Sequence, residues 1–280
     1  MSTRIGLAYN PTIDAALELR ERAAGWLQQR GIDHWVAAAG DFEGLVRELP
    51  TTDALIVLGG DGTFLRAARA TAEVDVPLLG VNLGKVGFLS KIEANQLEAM
   101  LAQEVAGDYS IDPRMAARAT VYPGGSDTPG DTFIALNDVV VARGTLARVV
   151  RLDVTIGASH LATFIADGLV VSTPTGSTGY SFSAGGPILD PVARNLIVTP
   201  IAGYLSAIRS IVVNPRQVVR CRVVDATEAQ ISIDGREDRP LAVGDVVAVE
   251  ALERPIRLIE PRGSMPFWDL LRHKVALLPS

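Results

Sequence analysis

Ala54-Leu55-Ile56-Val57-Leu58-Gly59-Gly60-Asp61-Gly62-Thr63 joins an apolar run to a glycine-rich turn, and residues 64–70 continue it with helical spacing. The pattern predicts a strand, a tight turn and a helix in immediate succession. Glycines allow backbone N–H groups to approach a ligand closely, and the N-terminus of a helix adds positive potential. The turn is therefore a candidate phosphate-binding site.

Asp61 is the unexpected residue of this turn, since its carboxylate would repel a phosphate bound to the surrounding amides. The repulsion is removed if the carboxylate faces a hydroxyl, a metal ion or a ribose. Phosphoryl transfer to an alcohol uses such an acid among phosphate-binding amides. The turn by itself leaves a second interpretation open, in which Gly59 and Gly60 serve only the chain path and Asp61 caps the helix.

The segment pattern divides the chain into three parts. Strand-like and helix-like segments alternate over residues 1–112, which predicts a parallel α/β sheet covered on both faces. Residues 113–255 are mostly strand-like, with Gly, Asp and Pro in the turns, and predict a β-rich domain. Residues 256–280 are expected to form a strand and a short helix that pack back on the N-terminal domain.

Composition excludes several functional classes. The chain has 280 residues, a formal net charge of −6 and 48% hydrophobic residues, so no nucleic-acid partner is expected. The longest uncharged run, residues 168–189, is rich in Gly, Ser, Thr and Pro, and no membrane association is expected. Cys221 is the single cysteine of the sequence, which fits a reducing compartment. We therefore expect a cytoplasmic protein.

Residues 167–187 form a second unusual stretch, Asp-Gly-Leu-Val-Val-Ser-Thr-Pro-Thr-Gly-Ser-Thr-Gly-Tyr-Ser-Phe-Ser-Ala-Gly-Gly-Pro. An acid at a strand end is followed by crowded hydroxyls and glycines, which suit a ligand rich in hydroxyls and phosphates. The alternative is a Ser/Thr-rich loop that caps a helix. A third segment places Asn137 and Asp138 within a predicted apolar strand over residues 133–142. These polar groups need partners, either a ligand diol or a β-bulge.

Some common enzyme motifs are absent from the sequence. There is no G-x-x-x-x-G-K-[ST] loop, no H-E-x-x-H, and no G-x-G-x-x-G at a strand–helix junction. The three histidines, His34, His160 and His273, are far apart in sequence. These observations argue against a P-loop kinase, an ordinary hydride-transfer Rossmann enzyme and a zinc protease.

Taken together, these segments resemble the NAD kinase family over nearly the whole chain. The family's GGDGT motif corresponds to Gly59–Thr63, and its N-x-G-x-x-G-F segment to residues 82–88. Its Asn-Glu pair corresponds to Asn137-Asp138, its DG…STPTGSTAY…AGGP signature to residues 167–187, and its C-terminal segment to residues 265–274. Diacylglycerol and sphingosine kinases share GGDGT, so a lipid kinase is an alternative. A non-catalytic dinucleotide-binding module is another. The stretch 167–187 argues against the first and Asp61 against the second.

The resemblance implies transfer of a terminal phosphoryl group to the 2′-hydroxyl of the adenosine ribose of NAD, giving NADP. The donor would be ATP, or polyphosphate in some members, used with a divalent metal ion such as Mg²⁺. The implied fold is an α/β N-terminal domain followed by a β-sandwich-like C-terminal domain. Family members are commonly homodimers or homotetramers, so a homo-oligomer is expected.

The same resemblance implies roles for residues of the N-terminal part. Asp61 would be the general base for the 2′-hydroxyl. Phe88 would stack on adenine. The phosphate contacts would come from Gly60, Gly62, Thr63 and Arg66.

In the C-terminal part, the resemblance implies that Asn137 and Asp138 hold the ribose diol. Asp167 would hold the nicotinamide part or a neighbouring ribose. The implied adenine and ribose pocket is lined by Thr178, Gly179, Tyr180, Ser181 and Ser183, and the implied further dinucleotide contacts are Arg148 and Arg236.

The chain departs from the family pattern at four places. Asp138 replaces the commoner Glu and reaches less far by one methylene. Gly179 stands where Ala is usual, and Arg236 where Gln is usual. Gly203-Tyr204 replaces the family's frequent Pro-His pair, so the role of that histidine does not transfer to this chain.

Overall fold

The computed structural model describes residues 3–84, 87–145, 148–204 and 208–276. The chain forms two compact units, one of Met1–Pro113 together with Ile256–Ser280, and one of Arg114–Pro255. The first unit is α/β and the second is rich in β-strands, which confirms the predicted fold class.

A seven-stranded sheet forms the centre of the first unit. Its strands are β1 (Arg4–Tyr9), β2 (Asp33–Ala38), β3 (Ala54–Leu58), β4 (Leu78–Asn82), β5 (Ile92–Glu93), β6 (Tyr109–Arg114) and β19 (Ile256–Pro261). Their order is β2-β1-β3-β4-β19-β6, with β5 pairing to β4. The pairs β1–β2, β1–β3, β3–β4 and β4–β19 are parallel. Every residue of β3 is buried, as expected for a central strand of a parallel sheet.

Helices accompany this sheet: α1 (Asp14–Gln29), α2 (Phe42–Glu48), α3 (Asp61–Thr71), α4 (Leu97–Ala106) and α6 (Phe267–Ala276). In α1 the residues at helical spacing, Ala16, Leu19, Ala23 and Leu27, are buried. α4 ends at Gly107, whose φ of 69° belongs to the left-handed region that glycine adopts without strain. Asp41 caps α2 by accepting a hydrogen bond from the Gly44 N–H.

The second unit contains two six-stranded antiparallel sheets. Its strands are β7 (Ala117–Tyr122), β8 (Thr132–Ala135), β9 (Asp138–Arg143), β10 (Val150–Ile156), β11 (Ser159–Ala166), β12 (Gly168–Ser172), β13 (Leu196–Ile201), β14 (Ile211–Val213), β15 (Val219–Asp225), β16 (Ala229–Ile233), β17 (Arg236–Leu241) and β18 (Val246–Ala251). One sheet has the order β11-β10-β15-β18-β7-β8 and the other β14-β13-β12-β9-β16-β17. Alternate residues of both sheets share one buried apolar cluster, so the unit is a β-sandwich. A four-residue helix, α5 (Tyr180–Ser183), follows β12.

The single strand predicted over residues 133–142 is wrong. The chain forms β8 in one sheet, bends at Leu136-Asn137, and continues as β9 in the other sheet. The sequence is apolar on both sides of the break, because both strands bury residues in the same sandwich core. The hydrophobic pattern therefore does not indicate where one strand ends and the next begins. Strand β17 lies at the edge of its sheet and contains Pro240 and several charged residues, which edge strands tolerate.

No helix in the described ranges is both long enough and apolar enough to cross a membrane.

The core of the first unit can be tested at Phe64, which is fully buried in α3. We expect Phe64→Ala to destabilise this unit by about 3–5 kcal/mol, because it removes a large side chain from a packed site. The three tryptophans, Trp26, Trp35 and Trp268, all belong to this unit, so tryptophan fluorescence during urea unfolding reports on it selectively. Phe42→Ala is the control, since Phe42 is 54% exposed. Equal unfolding midpoints for the two variants would contradict the assigned packing.

Candidate functional site

Asp61 is the first residue of α3, and its carboxylate binds the backbone of a neighbouring turn. Oδ2 accepts a hydrogen bond from the Phe88 N–H at 3.0 Å. Oδ1 accepts from the N–H groups of Leu89 at 3.3 Å and Ser90 at 3.0 Å. The carboxylate therefore does not cap its own helix, as the simpler interpretation of the turn proposed. It joins the β3–α3 turn to the segment that follows β4.

Close packing at and beside the β3–α3 turn requires two glycines. A Cβ on Gly87 would lie 2.1 Å from Asp61 Oδ1, and one on Gly59 would lie 2.6 Å from Thr63 Oγ1. Gly60 and Gly62 differ from them, because a Cβ at either position would meet no atom of the described residues within 4 Å. Their lack of a side chain leaves open space beside the N-terminus of α3, where helix geometry leaves the first N–H groups without intrahelical acceptors.

Arg66 follows this turn within α3, and Phe88 belongs to the segment after β4 that Asp61 binds. The Nε of Arg66, one turn into α3, is buried and has no hydrogen-bond partner among the described residues. The half-buried ring of Phe88 packs against Phe267 of α6 at a centroid distance of 5.9 Å. Lys274 Nζ lies 5.3 Å from the centre of the same ring. Arg66 thus retains a donor for a ligand, whereas Phe88 already has aromatic and cationic neighbours.

The second unit contains a cavity of about 640 Å³. Of the predicted residues, the ones that line it are Asn137, Asp138, Asp167, Gly179 and Tyr180. Its volume falls in the range of about 300–1,000 Å³ that is typical of pockets for small ligands. Both polar and apolar side chains line the cavity, and among them is an ion pair of Arg143 with Asp167.

Asn137 occupies a bend whose backbone carbonyls are bound by the stretch after β12. The Thr173 N–H donates to the Asn137 carbonyl at 2.9 Å, and the Thr173 hydroxyl donates to the Leu136 carbonyl at 2.6 Å. The Ser172 hydroxyl donates to the Asn137 carbonyl at 3.2 Å. The side-chain Oδ1 of Asn137 is buried and has no partner in the described part of the chain. A buried amide oxygen without a partner is costly, and a bound hydroxyl would satisfy it.

Asp138 is only 5% exposed, and its pKa is raised to about 7. Burial, which disfavours the charged form, is the larger cause, and the negative charge of nearby Asp234 is the smaller one. The carboxyl of Asp138 therefore changes charge near neutral pH while it faces the cavity.

Two family models match the chain: the ATP-NAD kinase N-terminal domain at residues 48–109 and the ATP-NAD kinase C-terminal domain at residues 136–261. The curated NAD kinase of Heliobacterium modesticaldum is 37% identical over 282 residues, which cover 97% of this chain and 98% of that protein. This chain belongs to the NAD kinase family. The NAD kinase of Natranaerobius thermophilus is also 37% identical, over 97% of each chain. The resemblance inferred from the motifs is thereby confirmed, and the chain is a phosphotransferase of this family.

Solved structures support the NAD kinase fold. Yeast NADH kinase, crystallised with NADH, matches with a TM-score of 0.81 at 23% identity, over 99% of this chain and 87% of that one. An NAD kinase from Archaeoglobus fulgidus, crystallised with ATP, matches with a TM-score of 0.78 at 23% identity, over 99% of this chain and 100% of that one. At this identity the likeness establishes the fold.

Several predicted NAD kinase site residues lie outside the cavity lining. Ser181 is buried, and its hydroxyl lies 3.5 Å from the hydroxyl of Thr199. The half-buried Thr178 donates to the Thr175 carbonyl at 3.5 Å. The residues that are exposed are Arg148, Ser183 and Arg236. In the hydroxyl-rich stretch, the hydroxyls of Ser172, Thr173 and Ser181 thus contact other groups of the protein itself. Within the motif of residues 82–88, residues 85 and 86 lie outside the described ranges.

Arg143 is a cavity residue that the sequence argument did not assign. Its Nε and Nη2 donate to the Asp167 carboxylate at 2.8 and 3.2 Å, and its Nη1 donates to the Thr145 carbonyl at 2.8 Å. Asp167 was predicted to contact the dinucleotide, but in this structure its carboxylate is bound by Arg143. A signal was present, because Arg143 ends a strand that begins with Asp138, and strand ends commonly carry site residues.

The contact between Gly87 and Asp61 gives a test of the first part of the site. We expect Gly87→Ala to lower stability by about 1–3 kcal/mol, because the new Cβ must displace the Asp61 carboxylate or the turn that it binds. Gly84→Ala in the same loop is the matched control, since its Cβ would meet no described atom within 4 Å. Thermal unfolding measures both variants, and equal midpoints would show that Gly87 does not contact Asp61 as described.

Proposed function

We propose that this chain transfers the terminal phosphoryl group of ATP to the 2′-hydroxyl of the adenosine ribose of NAD, giving NADP. The observation that carries the proposal is Asp61, a carboxylate held by three backbone amides at a helix N-terminus in a family of NAD kinases. Helix N-termini favour anionic groups, and fixed carboxylates serve as general bases.

The hydrogen bonds of Asp61 indicate which of its oxygens acts as the base. An ionised carboxylate offers about four lone-pair sites, two on each oxygen. Oδ1 accepts two amide hydrogen bonds and Oδ2 accepts one, so the remaining site is on Oδ2. We assign to Oδ2 the proton of the attacking 2′-hydroxyl. The amides hold the carboxylate in a fixed orientation, which reduces the cost of positioning it in the transition state.

Phosphate binding is assigned to the N-terminus of α3 and to Arg66. Open space over Gly60 and Gly62 allows a phosphate to approach the first N–H groups of the helix. The partly buried Arg66 guanidinium supplies positive charge one turn further along, and its Nε lacks an acceptor among the described residues. Thr63 contributes less than the motif suggests, because its N–H already donates to the Gly60 carbonyl at 2.9 Å.

The cavity of the second unit is assigned to the dinucleotide. The unpartnered Asn137 Oδ1 and the Asp138 carboxyl both suit the two hydroxyls of a ribose. Tyr180, which is 45% exposed, offers an aromatic face at the same cavity. A Cβ on Gly179 would lie 3.3 Å from the Gly176 carbonyl oxygen and 3.9 Å from Asp138 Oδ2, so glycine leaves room beside the Asp138 carboxyl.

The donor set of the chain fits a Mg²⁺ ion that enters with ATP. Within the described residues, no group of three or more His, Cys, Asp or Glu side chains is arranged to hold a metal ion. Mg²⁺ in kinases is commonly bound by one or two carboxylates together with substrate phosphates and water. We propose that ATP phosphates and water supply its ligands, because the one open site on the Asp61 carboxylate is assigned to the hydroxyl proton. The bound ion would neutralise charge on the transferred phosphoryl group.

We propose a homodimer or homotetramer, as is common among NAD kinases. We also propose a cytoplasmic location, which is supported by a buried, reduced Cys221 as the single cysteine of the sequence.

Purified protein incubated with NAD, ATP and Mg²⁺ should form NADP, detected with an NADP-specific dehydrogenase. We expect Asp61→Asn to retain NAD binding and to lower turnover by about 10²–10⁴-fold, because general-base catalysis is lost. Asp41→Asn is the matched control, because Asp41 also lies at a helix start and accepts a backbone N–H. Tryptophan fluorescence checks that each variant is folded. Loss of NAD binding together with turnover would contradict the base role.

The same assay includes a polyphosphate arm. NADP formed only with polyphosphate would keep the reaction and change the donor. No NADP with either donor would overturn the proposed function.

NAD affinity should depend on the ionisation of Asp138. Its pKa is raised to about 7 in the folded protein, so the protonated form predominates below that pH. The ionised form accepts hydrogen bonds from ribose hydroxyls more strongly. We therefore expect the Kd for NAD to rise as pH falls below about 7, by up to about tenfold per pH unit. Calorimetric titrations at pH values from about 5.5 to about 8.5, which bracket the raised pKa of Asp138, measure this Kd. Asp138→Asn should bind weakly at all pH values, and an unchanged pH dependence in that variant would reject Asp138 as the titrating group.

A further inference from the structure

Asp234 lies in the two-residue turn between β16 and β17, beside the bend that carries Asn137 and Asp138. The φ angles of Asp234 and Gly235 are 52° and 78°, and such a pair of positive values is characteristic of the type I′ turns that close tight hairpins. The ladder between β16 and β9 pairs Ile233 with Val139, so Asp234 is the next residue along and faces Asp138. The hairpin therefore places the Asp234 carboxylate at the start of β9.

The carboxylate of Asp234 binds the whole backbone of the bend. Its Oδ1 accepts from the Asn137 N–H at 2.8 Å and from the Asp138 N–H at 3.1 Å. Its Oδ2 accepts from the Leu136 N–H at 3.1 Å. In return, the Asp234 N–H donates to the Asp138 carbonyl at 3.0 Å. Three consecutive N–H groups thus converge on one side chain.

The other side of the bend is already bound by Ser172 and Thr173, which donate to the carbonyls of Leu136 and Asn137. A Cβ on Gly176 would lie 2.1 Å from the Asn137 carbonyl oxygen, so that contact is also close. With carbonyls bound from one side and N–H groups from the other, the side chains of Asn137 and Asp138 remain available to the cavity. Asp234 and Gly235 line the same cavity.

We propose that Asp234 is a positioning residue for NAD binding, whose carboxylate holds Asn137 and Asp138 in the geometry that a ribose diol requires. The inference rests on the proposed function, because it takes the cavity to be the dinucleotide site. Asp234 acts through the backbone of residues 136–138 and through its charge.

The charge of Asp234 provides a readout that backbone support alone would not change. Asp234 contributes to the raised pKa of Asp138, after burial. The other titratable or charged groups that line the cavity are Arg143, Asp167 and Tyr180. When Asp234 is neutralised, the pKa of Asp138 falls. The acid limb of NAD binding, meaning the pH range in which the Kd for NAD rises as pH falls, therefore moves to lower pH.

Asp234→Asn is the decisive variant, because asparagine tolerates a positive φ while offering only one acceptor oxygen and no charge. We expect the Kd and KM for NAD to rise by about tenfold, because hydrogen bonds to a charged group are lost. We expect the KM for ATP to stay near the wild-type value and the acid limb of NAD binding to move to lower pH.

Asp245→Asn is the matched control. Asp245 is 4% exposed in the same unit, and its carboxylate accepts from the N–H groups of Gly124 at 2.8 Å and Ala242 at 3.0 Å. It therefore supports the backbone in the same way but does not line the cavity. We expect its KM for NAD to equal that of the wild type, whatever its thermal stability. An unchanged KM for NAD in Asp234→Asn, or an equal rise in Asp245→Asn, would overturn the proposal.

Hydrogen–deuterium exchange of the wild-type protein keeps the proposal testable if Asp234→Asn does not fold. Slow exchange of the amides of residues 136–138 without NAD would support their binding by Asp234, and fast exchange would overturn it. Different results would overturn the proposed function and the positioning role of Asp234. A wild-type protein that neither binds nor phosphorylates NAD defeats the proposed function, whereas normal NAD binding by Asp234→Asn defeats the positioning role alone.

Discussion

In each unit, a carboxylate bound by three consecutive backbone N–H groups holds the segment proposed to form the site. Asp61 binds the N–H groups of residues 88–90, and Asp234 binds those of residues 136–138. Such charge-assisted hydrogen bonds are stronger than those between neutral groups. Here they hold backbone that lies outside a strand or at the first residue of one. The glycine-rich turn, the bend and the cavity all depend on these two arrangements.

The same interactions explain why functional and structural roles overlap in this protein. Asp61 is proposed to remove a proton from a hydroxyl, yet it also holds a turn that would otherwise expose three unpaired N–H groups. Ser172 and Thr173 belong to the most family-specific stretch of the sequence, but their hydroxyls bind the backbone of residues 136 and 137. Family motifs therefore contain residues whose side chains bind the backbone of a neighbouring segment.

Local patterns were sufficient for much of the fold and for part of the site. Alternating apolar runs and helical spacing identified β3, α3 and the β-rich second unit, because burial on one face or both leaves a periodic signature. The break at Leu136-Asn137 was not visible, since strands in two packed sheets bury similar residues. The pairing of Arg143 with Asp167 was also hidden, because residues 24 apart become neighbours only through antiparallel strand pairing.

The sequence by itself determined the α/β and β-rich halves, the glycine turn and membership of the NAD kinase family, because these follow from periodicity and from short contiguous motifs. Tertiary structure alone decided that Asp61 binds the segment after β4, that Asp234 binds the bend before β9, and that the Asp138 pKa rises to about 7. The physical reason is that hydrogen bonds, burial and electrostatic repulsion depend on distances between residues far apart in the chain, and only the folded arrangement sets those distances.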